Sequence, residues 1–168
     1  ATDDAILACC KKGHVWLFGY MLRQAKDVEG RARYNFSEAC MHNQLGIVKY
    51  IVENFYSSAK TVVDAGIACG AAFNGNLDIV RYLTEKFELT ADYFRRPNDF
   101  VLMHCCLGHH YNVVRYLFET VGLTAKDIEA DDYAILKHIS VHCSETFQVV
   151  CHCIGFTRQQ MDDLKRRI

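Results

Sequence analysis

The chain is poor in the features that would announce an enzyme, a membrane protein or a nucleic-acid binder. Among its 168 residues there is a single proline, Pro97, and the composition is 51% hydrophobic and 23% charged. That balance belongs to a globular chain and excludes a disordered one. No apolar run approaches the roughly 18 residues of a transmembrane helix, so no membrane contact is expected. Lys and Arg are scattered and the formal net charge is -1. No basic stripe marks a nucleic-acid partner, and no acidic tail marks a cationic client. A Gly-rich phosphate loop, a His-Glu-x-x-His helix and a serine elbow are all missing. The opening Ala1-Thr2-Asp3-Asp4 lacks the character of a signal peptide, and a start at Ala suggests a chain processed or cut from a longer one.

Cysteine is the exception to this scarcity. Nine are present, an odd number, in segments that read as helix, and no Cys-x-x-Cys pair occurs. A secreted disulfide framework favours an even count in a short, loop-rich chain. A reducing, intracellular and cytoplasmic setting is therefore expected, or the host cytoplasm if the source is a virus.

The strongest positive signal is a repeated phrase. Asn74-Gly75-Asn76-Leu77-Asp78-Ile79-Val80-Arg81-Tyr82-Leu83 reads as a tight turn followed by a helix with an apolar stripe. It returns as Leu45–Val52, as Tyr111–Phe118 and, more weakly, as Val15–Leu22. The aligned tyrosines Tyr20, Tyr50, Tyr82 and Tyr116 stand 30, 32 and 34 residues apart. A period in the range of roughly 20–50 residues marks a solenoid. The repeat-locked spacing makes these tyrosines core knobs between stacked units, with Lys49, Arg81 and Arg115 facing solvent.

About five units follow, over residues 3–33, 34–66, 67–99, 100–132 and 133–168, within one domain. Each of the first four opens with a short helix: 5–10, capped by Asp3 or Asp4, then 36–40, 68–72 and 102–106. A turn leads to a second helix at 15–24, 45–55, 77–87 and 111–121. Short third segments are expected at 59–64, at 89–94 before Pro97, and after Gly122. Thr124 with Asp127 reads as a capping box, and so does Thr157 with Gln160, which opens a last helix ending in Lys165-Arg166-Arg167.

The pair of small residues, then a turn with Gly, then an apolar-rich helix, resembles the ankyrin repeat. Ala71-Ala72 with Gly75-Asn76-Leu77-Asp78-Ile79-Val80 carries the likeness most fully. Gly13-His14-Val15 matches the turn of the first unit, and Ala39-Cys40 and Cys105-Cys106 fill the small pair elsewhere. The threonine-proline-leucine-histidine signature is absent, and capped segments stand where the inter-repeat β-hairpin belongs. In this the chain looks like the longer ankyrin-like repeats of large DNA viruses and protists. The resemblance implies an all-α solenoid of helix–turn–helix repeats, with short third helices in place of hairpins. It implies a non-catalytic module that binds a protein partner on the concave face, just after the small pair. The positions are Lys11 and Lys12; Met41, His42 and Asn43; Phe73 and Asn74; and Leu107, His109 and His110, with Met41 and Phe73 as apolar anchors. The competing reading of these positions is plain turn.

Two other functions stay open on the residues. One is a structural subunit of a large assembly such as a virion, in contrast to a binder that is monomeric alone. The other is a zinc-binding or thiol-dependent protein. His104-Cys105-Cys106 with His109 and His110, and His138, His142 and Cys143 with Cys151-His152-Cys153, are dense in soft ligands. Cys9, Cys10, Cys40, Cys105 and Cys106 also suit the small pair as compact hydrophobes, and on that reading no cofactor is required.

Overall fold

A computed structural model describes residues 2–56, 66–95, 100–129, 134–142 and 144–167. Among the described residues there are thirteen α-helices and one π-helical turn, and no strand. They fall into two compact units. The first comprises Ala1–Ala71 with Asn76–Glu88, the second Ala72–Gly75 with Leu89–Ile168.

In the first unit, α1 (Asp3–Lys11) turns Ile6, Cys9 and Cys10 inward. The expected aspartate cap does not form. Thr2 is the N-cap, without a side-chain bond, and Asp3 and Asp4 lie inside the first turn, where their charge suits the helix dipole. Asp3 instead bonds to Arg31. The next helix, α2 (Val15–Arg23), buries Phe18 and Leu22.

A single helix, α3 (Val28–Met41), then runs through the expected junction near residues 33 and 34. The segment read as closing one unit is continuous with the helix read as opening the next. The reason is local: the Asp27 carboxylate accepts from the Gly30 N–H at 2.9 Å, which caps a helix start where the glycine suggested a break. The chain continues as α4 (Leu45–Phe55), α5 (Ile67–Phe73) and α6 (Leu77–Phe87). Both α4 and α6 begin and end where their apolar stripes predict. Within the unit α3 packs on α1, α2 and α4, and α4 on α6. The expected third segment at 59–64 lies outside the described residues, as does Pro97.

The second unit starts with α7 (Ala91–Arg95) and α8 (Phe100–Leu107). The expected helix 111–121 is α9 (Tyr111–Tyr116) followed by a π-turn, Leu117–Val121, which ends on Gly122 in the left-handed region. Then α10 (Lys126–Glu129), α11 (Ala134–His142), α12 (Ser144–Cys153) and α13 (Arg158–Arg167) complete it. The pair α11–α12 packs on α8–α9 as another helical hairpin.

Of the two capping boxes, only the second closes both ways. The Thr157 N–H donates to Gln160 Oε1 at 2.8 Å, and the Gln160 N–H donates to Thr157 Oγ1 at 3.3 Å. At the first, the Asp127 carboxylate accepts from the Thr124 N–H and hydroxyl while Arg95 donates to it at 2.6 Å. Burial works against the Asp127 carboxylate, yet Arg95 and Thr124 hold it below the usual range.

One turn geometry recurs four times. Gly13, Asn43, Gly75 and His109 take φ of 71°, 55°, 72° and 60°. The residue after each donates its N–H to the first member of the small pair: His14 to Cys9, Gln44 to Ala39, Asn76 to Ala71 and His110 to Cys105, at 2.8–3.0 Å. This is the six-to-one closure of a helix end on a left-handed residue. Glycine accepts that conformation freely and asparagine tolerates it, whereas histidine carries a Cβ that does not suit it. His109→Gly is therefore expected to raise the unfolding free energy by about 1 kcal/mol. A thermal melt showing no gain would mean that the His109 side chain repays its backbone strain.

The repeated tyrosines are not all core knobs. Tyr116 is buried, Tyr50 and Tyr82 are half-buried, and Tyr20 is 57% exposed. Lys49, Arg81 and Arg115 are exposed, as their positions predict.

Candidate functional site

The residues expected to bind a partner sit at the helix ends just before each turn, because the left-handed residue forces the chain out of the helix there. In the first unit, Lys11 and Lys12 end α1, while Met41, His42 and Asn43 end α3; all five are exposed. In the second unit, Asn74, Leu107 and His109 are exposed and Phe73 and His110 are half-buried. Each unit therefore presents a row of chemically different side chains on one recurring backbone.

Two neighbours that the sequence reading did not assign to these rows organise them. Glu38, largely buried, holds Lys11 Nζ at 3.3 Å and His42 Nε2 at 3.7 Å with the same oxygen. It stands one turn before His42, and that i, i+4 spacing was the available signal. In the second unit the His104 ring packs on Phe73, centroids 4.7 Å apart at 47°. The sequence marks His104 only as a soft ligand and not as the partner of Phe73, because the two are distant along the chain. Phe73 is thus part of a two-ring patch rather than a lone anchor.

The carbonyls at these helix ends are also satisfied in a regular way. Gln44 Nε2 donates to the Lys11 carbonyl at 2.7 Å, and Asn76 Nδ2 donates to the Cys40 carbonyl. In the second unit the Cys105 thiol donates to the Ala72 carbonyl at 3.2 Å, and His110 lies against Gly75. The turn residue after the left-handed position therefore reaches back over the preceding helix end.

The cysteines of the small pair are buried throughout, at Cys9, Cys10, Cys40, Cys105 and Cys106, as compact hydrophobes should be. Burial, with the Glu38 carboxylate as a lesser cause, pushes the Cys10 thiol up to about 12, and burial pushes Cys40 up as well. A nucleophilic thiol needs the reverse, a lowered pKa and an open approach. Among the described residues no three His, Cys, Asp or Glu side chains gather as a metal site would need. Cys143 and the His142 side chain lie outside the described residues. Among the described residues no helix is long and apolar enough to cross a membrane.

A family model described as ankyrin repeats, in three copies, matches residues 38–132, more than half of the chain. Comparison with curated proteins and with solved structures found no match.

Proposed function

The chain belongs to the ankyrin-repeat family, and on that footing we propose that it is a non-catalytic adaptor that holds a protein partner. Repeats of this family are generally protein–protein interaction modules, which fixes the class of activity but not the client. The contact residues we assign are Lys11, Lys12, Met41, His42 and Asn43 in the first unit. In the second they are Phe73, Asn74, Leu107, His109 and His110.

The observation that carries the assignment is the contrast at the turns. Backbone φ and the closing hydrogen bond repeat from turn to turn, while the exposed side chains just before the closure do not. Constancy of frame with variation of side chain is what a recognition surface requires. Met41 and the Phe73–His104 pair offer apolar area, and the Lys11–Glu38–His42 cluster offers charge of both signs. A partner with apolar side chains and mixed charge fits this chemistry. The described cysteines form no disulfide with one another, which suits a reducing compartment.

Quantitative affinity capture from the source cells tests the reading. Phe73→Ala is expected to weaken retention of the specific partner about tenfold or more, and Met41→Ala to weaken it less, with unchanged circular dichroism. Tyr34→Ala, an exposed aromatic of α3 outside the rows, should leave retention intact. Equal retention by all three variants would remove these rows from the interface.

A further inference from the structure

The exposed tyrosine of the first repeat shares its helix with the chain's only tryptophan, Trp16, which is 80% exposed. The two rings stack, with centroids 5.9 Å apart at 10°. Their exposure is anomalous only when their counterparts in the next repeats are considered. Aligning the turns places Trp16 with Gly46, and Tyr20 with Tyr50 and Tyr82.

Each counterpart faces the preceding repeat. Gly46 abuts Val15, so closely that a Cβ there would lie 2.9 Å from the valine methyl. The Tyr50 ring lies over Gly19, where a Cβ would come within 2.7 Å of it. The Tyr82 ring takes the Lys49 ammonium at 5.5 Å, and Lys49 is the counterpart of Gly19. The Tyr20 position docks on the helix before it in both following repeats, at Tyr50 and Tyr82; the Trp16 position does so at Gly46, while Asp78, the next residue in that column, is exposed. In α2 the same positions carry the two largest side chains of the helix, and among the described residues no other helix covers them. Beside them lies a groove of about 630 Å³ with Val15 and Gly19 among its lining residues.

We propose that the Trp16–Tyr20 face of α2 is a vacant repeat–repeat interface, occupied by one more helix–turn–helix unit of the same kind lying ahead of α1 in the polypeptide. The stacking pattern specifies that unit's chemistry. Its second helix presents glycine or a basic residue beneath Tyr20, as Gly19 and Lys49 are presented to Tyr50 and Tyr82. Opposite Trp16 it presents an aliphatic or smaller residue, as Val15 does to Gly46. Burial of a tryptophan and a tyrosine would make this junction as apolar as those already formed.

Two experiments decide it. The first recovers the native polypeptide through an antibody to α13 and reads its N-terminal sequence and mass. A helical repeat ahead of Ala1 is expected; a polypeptide starting at Ala1, or with no repeat there, overturns the proposal. The second places a copy of residues 34–66, which contain Lys49 and no tryptophan, ahead of Thr2. Trp16 emission should move to the blue and its quenching by acrylamide should fall several-fold, with a higher melting temperature. Trp16→Glu should cancel that gain in the extended chain while leaving the melt of the present chain unchanged. An added unit that leaves Trp16 exposed overturns the proposal, and so does one that fails to fold against α2. Concentration-dependent shielding of Trp16 in the present chain would assign the face to a second copy instead.

Discussion

Phe36→Ala is expected to lower the unfolding free energy by about 3–5 kcal/mol, the largest single effect among the substitutions considered. Phe36 is completely buried in α3, the helix that packs on α1, α2 and α4. Its ring meets Tyr56 at 4.9 Å and 43°. Truncation removes that contact and leaves a cavity walled by helices that are fixed on three sides and so collapse little. Urea unfolding should show a lower midpoint with an unchanged slope, since the surface exposed on unfolding is nearly the same. A loss below about 1 kcal/mol would mean that α3 is not the central helix of its unit.

Asn76→Ala comes next, with an expected cost of about 1–3 kcal/mol. The Asn76 amide is buried and donates to the Cys40 carbonyl, with a weaker approach to the Met41 carbonyl at 3.4 Å. Alanine leaves a helix-end carbonyl without a donor in a place that water does not readily reach. Gln44→Ala removes the equivalent bond to the Lys11 carbonyl, but that site is exposed and water can replace the amide. Its cost should stay below about 1 kcal/mol. Parallel thermal melts of the two variants check the ranking; equal losses would show that burial at Asn76 contributes nothing.

How much of this was legible depended on whether the deciding interaction was local. The helices α4 and α6 were readable to the residue, because an apolar stripe and a left-handed turn residue lie within one short window. The left-handed turns at Gly13 and Gly75 were equally plain. The fusion that makes α3 was not, because Gly30 argues for a break until the Asp27 cap is considered with it. The π-turn at Leu117–Val121 has no marker in a stripe that fits an ordinary helix equally well. The pair α11–α12 was hidden because no glycine stands between Ala134 and Cys153 to mark a turn. Tyr20 shows a different failure. Periodicity assigns a residue to a docking face but cannot say whether anything docks there. At the candidate site the positions came from the repeat; Glu38 was signalled by its i, i+4 spacing to His42, whereas the contact of His104 with Phe73 emerged only once residues distant in sequence stood side by side.

Inside each unit the helices that touch are close neighbours along the chain, such as α1 with α2 and α3, or α8 with α9 and α11. Contacts of such short sequence separation form within about microseconds to milliseconds. A ribosome adding roughly 5–20 residues per second needs seconds to deliver one repeat. Within each unit a hairpin therefore has time to settle on its predecessor before the next is made, so that there the order of synthesis is also the order of assembly.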